Sequence, residues 1–376
     1  MVAVVYSWHS EQSDLSELYQ AIIAAEQAGA GCILLLACAE NDIDSQDYDQ
    51  LLTSANCAIF GGIYPGLFWQ NKLLRKGHIV IAYQAKFSLH LFTDISHPEQ
   101  LNDVKLEQTI EEQLDCSQQN YLIFSDSNAS GLETYIEKLY LCLGAAKVIG
   151  SGAGSLSFDA RPCIFTPRGM LADALLVVAL PHPLSTTTAH GWEAISDPFL
   201  VTSAEHHNVH SINYKSAFDV YWSAVEKLTG QKLNTSEFTR IAQQFPLGIL
   251  SESGQMIVRD PVKTNGNTLV FVGDMPNNSL IYILQGKPKH LINDVKEKTL
   301  TLKSAMPLSE FDSLFIVDCV SRAIIMEDQF KQELDVIYNT AGRVKYTYGA
   351  LSIGEVANSL SGAFVLLNKS TVLGAF

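Results

Sequence analysis

The sequence predicts an α/β protein of two layered domains, with mixed sheets flanked by helices and an internal duplication in the first domain. Three observations lead to this fold class. First, 376 residues with 47% hydrophobic and 17% charged side chains can fill two cores. Second, continuous apolar runs alternate with amphipathic stretches, as in strands that helices cover on both faces. Third, the order of these segments recurs along the chain.

The first predicted unit begins with a helix over residues 13–29, whose apolar positions recur at helical spacing. Ser13 is its candidate N-cap and Gly29 its candidate end. The run 32–38 is apolar throughout, which predicts a strand buried on both faces. Next come a helix, a buried strand with a glycine pair, and two strands three residues apart that predict a hairpin: 45–55, 58–62, 78–83 and 87–92.

The same order predicts a second unit. Comparable strand positions are offset by 88 residues between residues 33 and 121, and by 89 residues between residues 59 and 148. The two units therefore form a duplicated domain rather than a solenoid, whose repeats are shorter. The predicted helices, strands and glycine turn of the second unit are 104–115, 121–126, 132–143, 148–149, 150–154 and 174–180.

Pro181, Pro183 and the threonines at 186–188 mark a change of segment. We therefore divide the chain into a first domain of residues 1–200 and a second of residues 201–376. Helices again separate buried strands in the second domain, so the theme of the first recurs more loosely. Its predicted elements are 216–230, 268–273 paired with 280–284, 314–319, 328–340, 348–355, 363–367 and 371–372.

Composition excludes several classes of function. Lys and Arg number 25 against 40 Asp and Glu, so the net charge of −15 disfavours nucleic acid and anionic membranes as partners. No apolar run approaches the roughly 20 residues that span a bilayer, and the start lacks the features of a signal peptide. Seven cysteines without a CxxC pair favour free thiols. We expect a cytoplasmic protein.

Glycine turns and histidines are the first candidates for chemistry. The turns at 61–62 and 150–154 follow buried strands, but their spacing fits neither the dinucleotide fingerprint nor the phosphate loop. Tight backbone geometry therefore explains these glycines better than phosphate binding does. The histidines at 206–210 lack the spacing of a zinc site. His182 and His190 lie near the domain boundary, where a single imidazole could hold a haem iron. From spacing alone, His190 is better explained as a hydrogen-bonded structural residue than as a ligand.

Cys319 is a candidate nucleophile because it ends a predicted buried strand, between Asp318 and Arg322. A nearby cation could lower the pKa of its thiol, but a cysteine hydrolase also needs a histidine base. An ion pair between Arg322 and Asp318 that ties a helix to its strand is the favoured alternative. Glu355 lies in a segment that reads as buried, so its carboxylate must find hydrogen bonds or a ligand.

Together, these segments resemble a known family. Those of the second half resemble the FIST C-terminal domain in order and spacing: 314–322, 327–334, 348–355 and 368–372. Those of the first half are similar to the FIST N-terminal domain: 61–62, 150–154, 174–180, 190–192 and 201–202. This resemblance implies a cytoplasmic sensor of signal transduction rather than an enzyme. The implied partner is a histidine kinase or a cyclic-di-GMP enzyme, and a homodimer remains open.

One subgroup of the family implies a ligand. The segment 61–68 and the imidazole of His190 resemble the stand-alone FIST proteins that bind haem and sense nitric oxide. Haem b held without a covalent link is the implied cofactor, because CxxCH is absent. His190 is the implied axial ligand and His182 the next candidate. The residues implied to line the haem site are Tyr64, Pro65, Phe68, His190 and Trp192.

Two alternatives remain open from the sequence. The first is a FIST sensor of an amino acid or a similar metabolite, held between the domains. Its predicted contacts are Gly62 and Gly152, with Arg322 for a carboxylate and Glu355 for an ammonium group. The second is an enzyme that uses Cys319 as its nucleophile.

Overall fold

The computed structural model describes residues 3–98, 103–114, 118–251, 254–305 and 311–376. Within these residues the strands form three six-stranded sheets and one eight-stranded sheet. Each six-stranded sheet contains one parallel strand pair with antiparallel strands beside it. Mixed sheets flanked by helices, the predicted fold class, are therefore confirmed.

The first unit builds most of the first sheet. Its elements are β1 (Val4–Ser10), α1 (Leu15–Gln27), β2 (Cys32–Cys38), α2 (Ser45–Ser54), β3 (Ala58–Tyr64), β4 (Leu67–Trp69), β5 (Lys72–Leu74) and β6 (His78–Tyr83). Strand β2 is buried along its whole length, as its apolar run predicts. Asp14, not the predicted Ser13, caps α1, because its carboxylate accepts the N–H groups of Ser16 and Glu17.

The second unit repeats this order. Its elements are β7 (Ser88–Thr93), α3 (Asp103–Gln113), β8 (Asn120–Asp126), α4 (Leu132–Leu143), β9 (Lys147–Ala153), β10 (Ile164–Thr166), β11 (Gly169–Leu171) and β12 (Ala174–Ala179). The predicted duplication is therefore confirmed. The predicted end of α3 at residue 115 lies outside the described residues.

An antiparallel barrel follows β13 (Ser185–Ala189). Its elements are β14 (Glu193–Ala194), β15 (Phe199–Glu205), β16 (Asn208–Ile212), β17 (Lys215–Ser216), α5 (Ala217–Thr229), α6 (Phe238–Gln244), β18 (Leu247–Leu250), β19 (Met256–Asn265), β20 (Thr268–Val272) and β21 (Leu280–Gln285). The eight-stranded sheet closes because β18 pairs with both β19 and β21. Closure removes the free edges that an open sheet would expose.

A third unit surrounds this barrel in the chain, beginning at β13 and resuming after it. Its later elements are α7 (Pro288–Ala305), β22 (Ser313–Cys319), α8 (Val320–Met326), α9 (Phe330–Thr340), β23 (Tyr346–Ser352), β24 (Glu355–Asn358), β25 (Phe364–Leu367) and β26 (Thr371–Ala375). The barrel is thus an insertion between the outer strand and the first helix of the third unit. We call the three units together the body.

The three units exchange hairpins in cyclic order. The hairpin β4–β5 of the first unit pairs with β23, β10–β11 of the second with β3, and β24–β25 of the third with β9. The sheets therefore meet around one central core, to which each contributes a phenylalanine. The ring of Phe124 lies 5.8 Å from that of Phe60 and 6.4 Å from that of Phe315.

Two predicted strand pairings are wrong. Strands β6 and β7 do not form a hairpin, since β6 joins the first sheet and β7 pairs with β12 in the second. Strands β20 and β21 do not pair either, because β20 lies between β16 and β19 while β21 pairs with β14, β15 and β18. In both cases, two strands that are adjacent in the sequence are not adjacent in a sheet. The proposed division at residue 200 falls within β15.

Candidate functional site

A buried ionic cluster lies where the third unit meets the barrel. Arg322 in α8 is fully enclosed and binds the carboxylate of Glu333 in α9 with two hydrogen bonds, of 3.1 and 2.6 Å. Its Nε also lies 3.4 Å from Asp318 Oδ1. Its Nη1 donates to the carbonyl oxygens of His190 (2.7 Å) and Lys369 (3.3 Å). The predicted ion pair with Asp318 is present, and Glu333 is the stronger partner.

These contacts assign Arg322 a structural role. The guanidinium group has five N–H donors in a fixed plane, and the bonds to Glu333, His190 and Lys369 engage both of its edges. This arrangement favours a structural role for Arg322 over the alternative expectation that it binds the carboxylate of a ligand. Arg322 instead holds α8, α9, the residue after β13 and the turn before β26 together.

Lys369 extends the cluster towards the barrel. Its Nζ lies 3.0 Å from Asp260 Oδ2 in β19 and 5.2 Å from the centre of the Trp192 ring. Trp192 in turn donates its indole N–H to the Lys369 carbonyl oxygen, at 3.1 Å. An ion pair and a cation–π contact thus connect the barrel with the body at one lysine.

Four acidic side chains, Asp260, Asp318, Glu333 and Glu355, share the cluster with only two cations, Arg322 and Lys369. Several of its polar atoms have no hydrogen-bond partner among the residues that the structure describes: Asp260 Oδ1, Asp318 Oδ2, Glu355 Oε1 and Asn368 Oδ1. Burial raises the pKa of Glu355 and of Asp318 well above that of an exposed carboxyl, despite the opposing effect of Arg322. Isolated buried charge is costly, so protonation relieves the excess negative charge.

Cys319 lies beside this cluster but is not poised as a nucleophile. Burial raises the pKa of its thiol to about 12. Its Sγ lies 3.1 Å from the hydroxyl oxygen of Ser321. A reactive cysteine requires the opposite, a thiolate stabilised near neutral pH. The geometry therefore does not favour Cys319 as a catalytic residue.

A cleft of about 870 Å³ opens on the other side of Trp192, between the barrel, α7, β13 and the end of β24. Its size suits a small molecule. Polar side chains dominate its walls. The lining residues that carry charge or an imidazole are Lys147, His190, Glu193, His290, Asp294, Glu297 and Lys298.

His190 borders the cleft, as its predicted binding role requires, but in the wrong form to ligate iron. Its Nδ1 lies 3.0 Å from the backbone N–H of Trp192, which can only donate, so Nδ1 is the acceptor. Burial lowers the pKa of His190, which keeps the ring neutral with its single proton on Nε2. An axial histidine needs the reverse, a free Nε2 lone pair and a protonated Nδ1 that donates.

The other residues implied to line the haem site are not gathered around a cavity. Tyr64 is enclosed in the central core and its hydroxyl lies 2.7 Å from Ser151 Oγ. Pro65 is also buried, and Phe68 packs with its ring 6.1 Å from that of Phe330. Only His190 and Trp192 reach the cleft, whose walls are polar where haem needs apolar ones. The side chains present do not fit a haem group.

Gly62 and Gly152 serve the hairpin exchange rather than a ligand. A Cβ atom on Gly152 would lie 2.2 Å from the Ile353 carbonyl oxygen, and one on Gly62 would lie 2.9 Å from that of Cys163. Both glycines are required where a hairpin from another unit packs closely. These close approaches favour the structural explanation of the turns over the predicted ligand contacts.

The remaining histidines do not assemble a metal site. His182 is half-buried after β12, and His206 lies in the turn between β15 and β16, with Nδ1 3.5 Å from Asp274 Oδ2. In the described ranges, no group of three or more His, Cys, Asp or Glu side chains is arranged to hold a metal ion.

The cleft residues of α7 escaped the sequence analysis, which predicted no helix there. Pro288 is the first residue of α7, a position that proline favours. His290, Asp294, Glu297, Lys298 and Thr301 then recur at helical spacing and line the cleft. This periodic polar face is the signal that could have identified them.

The fold and the cleft define a two-domain α/β protein with a small-molecule-sized opening at its main junction. The model of the FIST N domain matches residues 32–215, and that of the FIST C domain matches residues 217–358. The chain therefore belongs to the FIST family, whose domains are sensor domains of signal transduction. No curated protein is similar enough to match it. Among the described helices, none is both long and apolar enough to cross a bilayer.

Proposed function

We propose that this protein is a cytoplasmic sensor that binds a polar, zwitterionic metabolite of the amino-acid type in the cleft beside Trp192. The cleft itself carries the proposal, because it presents both signs of charge to one small volume. Lys147 and Lys298 suit a carboxylate, and Glu297 suits an ammonium group. None of these three side chains forms an ion pair with another described residue.

The cleft also suits a sensor because its walls come from separate parts of the molecule. Gln255 and Met256 belong to the barrel side, α7 and β13 to the third unit, and Lys147 to the second unit. A ligand that contacts all three favours the packing in which the cleft has its bound shape. Trp192 and Lys369 carry that preference to the ionic cluster. We propose that a histidine kinase or a cyclic-di-GMP enzyme responds to the change.

A thermal-shift screen of free amino acids tests this proposal. A ligand at a hundred times its dissociation constant adds about 2.7 kcal/mol of stability, so a true ligand raises the melting temperature. The Lys298→Gln variant should lose the shift, because it removes the cation that faces the carboxylate. Lys296→Gln is the matched control, on the same helix but outside the cleft lining. A wild-type protein that no member of the panel stabilises, or an undiminished shift in Lys298→Gln, would contradict the proposal.

A further inference from the structure

A second cavity, of about 430 Å³, lies in the first unit at the carboxyl ends of β2 and β3. We call it the first-unit hollow, and we propose that it binds a small organic cation with an apolar body. Crevices at the carboxyl ends of parallel strands are the usual ligand sites of α/β sheets. The volume lies within the range of small-molecule pockets. Its lining shares no residue with the cleft beside Trp192.

The inner wall of the hollow is apolar. Cys38 from the end of β2, Ile63 from β3, Cys163 before β10 and Met170 from β11 line it. Cys38, Cys163 and Met170 are buried, and burial raises the pKa of the Cys38 thiol to about 12, so it adds no charge. This wall suits the hydrocarbon or aromatic part of a ligand.

Polar side chains behind this wall form hydrogen bonds with one another and with the backbone. Asn41 exchanges hydrogen bonds with the backbone of Gly77, donating at 2.8 Å and accepting at 2.6 Å. The hydroxyl of Tyr48 lies 2.8 Å from Nε2 of His78, and burial lowers the pKa of His78 to about 4. Asn41 and Tyr48 therefore form a neutral surface, and the charge that selects a ligand lies elsewhere.

The mouth of the hollow supplies that charge. Asp42, Asp44, Asp159 and Arg161 line it, so carboxylates outnumber the single cation. Arg161 is already paired with Asp159, at 3.2 Å. Asp44 accepts the N–H of Gln46 as the cap of α2. Asp42 forms no ion pair with the other described residues, so its carboxylate is available to a cationic group that enters beside it.

The threefold arrangement of the body gives an independent argument. Asn41 lies three residues after the end of β2, and Arg322 lies three residues after the end of β22. Tyr48 is the fourth residue of α2, and Glu333 is the fourth residue of α9, the second helix after β22. His78 and Thr371 each begin the return strand. The third unit thus places its own cation at the position where the first unit has the shorter Asn41 beside an open hollow. The shorter side chain leaves the space that a ligand would fill, beside the carboxylate of Asp42.

The segment between β9 and β10 closes the hollow from the second unit. Ser155 and Pro162 line it together with residues of the first unit. A bound cation therefore contacts two units at once. Binding should stabilise their contact and thereby raise the melting temperature of the whole chain.

Calorimetric titration with benzylamine, and with benzyl alcohol as its neutral counterpart, tests the proposal on the full chain. We expect saturable binding of benzylamine and weaker binding of benzyl alcohol. Asp42→Asn should weaken benzylamine binding by up to about fivefold, as for one exposed charge pair, and leave benzyl alcohol unchanged. Asn suits this position because Asp42 has a left-handed backbone, with φ 53°. Ser155→Trp should fill the hollow and abolish binding of both probes.

Two controls separate this site from other effects. Asp47→Asn removes an exposed carboxylate of α2, five residues after Asp42, that does not line the hollow, and the variant should bind benzylamine as the wild type does. Lys298→Gln, which alters the cleft beside Trp192, should also have no effect. Absence of saturable benzylamine binding, equal effects of Asp42→Asn and Asp47→Asn, or full binding by a folded Ser155→Trp variant would each overturn the proposal.

Discussion

Glu355 is fully enclosed, and within the described part of the chain one of its carboxyl oxygens, Oε1, has no hydrogen-bond partner. Its other oxygen, Oε2, accepts a long bond, of 3.4 Å, from the Ser370 N–H. Removing one partner of a buried ion pair usually costs more stability than the pair itself contributes. No cation among the described residues forms an ion pair with Glu355, so we expect its carboxyl group to be protonated in the folded protein.

Glu355→Gln should remove a pH dependence of stability. Burial raises the folded-state pKa of Glu355 well above its ordinary value of 4.5. The proton therefore stabilises the folded state in full at low pH, and that contribution is lost as pH rises towards the folded pKa, at up to about 1.4 kcal/mol per pH unit. Denaturant unfolding between pH 5 and pH 9 should show the variant gaining on the wild type as pH increases.

The exposed Glu40 provides the control for this experiment. Glu40→Gln removes an exposed carboxylate, so the stability of this variant should follow that of the wild type across the same pH range. If Glu355→Gln also follows the wild type, Glu355 is ionised in the folded protein and the cluster must contain a cation that we have not identified.

Cys319 should resist alkylation in the folded protein. Because burial raises the pKa of this thiol to about 12, the thiolate is scarce at pH 7.5. Mass spectrometry after timed treatment with iodoacetamide should find Cys319 labelled only after unfolding in denaturant. Rapid labelling of the native protein would reopen the reading of Cys319 as a nucleophile.

Haem addition tests the role of His190 directly. Since the Nδ1 of His190 accepts the Trp192 N–H, the ring has no free lone pair at Nε2. We expect no His190-dependent Soret band when haem is added to the purified protein. A Soret band that shifts or disappears in the His190→Ala variant would show that the imidazole reorients to bind iron, and would restore the haem hypothesis.

At the residue scale, the sequence predicted which side chains contact one another better than it predicted what those side chains do. It predicted the contact of Arg322 with Asp318, because four residues separate them at a strand-to-helix junction. It could not predict Glu333 as the main partner, since that depends on how α9 packs. The same limit applies to His190, whose position at the boundary was evident while its tautomer follows from a bond to Trp192.

At the scale of elements, repetition was easier to predict than pairing. The offsets of 88 and 89 residues correctly indicated a duplicated unit. The third copy was harder to see because the barrel separates β13 from α7 by almost a hundred residues of chain. The exchanged hairpins could not be predicted at all, because local turn signals identify a hairpin but not the distant strand beside it.

The barrel should be removable as a unit. Its entry and exit lie together, since a Cβ atom on Gly191 would lie 2.7 Å from the Cα of Leu291 at the start of α7. A chain in which a short Gly-Ser linker replaces residues 193–286 should therefore keep the three sheets of the body. Circular dichroism should retain mixed α/β structure with a cooperative, lower melting transition.

Loss of any cooperative transition in that chain would mean that the body depends on the barrel for its fold. A matched variant, Lys369→Met in the complete protein, removes the link to Asp260 without deleting the barrel. It should weaken the junction while leaving both parts folded, because the cation–π contact and the ion pair are lost together.

At the scale of the whole molecule, the central core holds the three sheets together, whereas apolar and polar contacts both connect the body to the barrel. Val258 and Leu284 of the barrel share one buried hydrophobic cluster with Leu314 of the body. Besides Lys369 and Asp260, Arg259 of the barrel binds Glu133 of α4 at 2.9 Å. The ionic contacts of such an interface can repack when domains rotate against each other. The junction is therefore the part of the molecule that a ligand in the cleft can influence.

Hydrogen–deuterium exchange with and without the amino acid that gives the largest thermal shift tests this central claim most directly. If the cleft ligand links the parts around it, exchange should slow together in β13, in α7 and in the start of β19. The body away from the cleft should exchange at an unchanged rate. Protection confined to one of these elements, or found only outside them, would contradict a sensor that works through the junction.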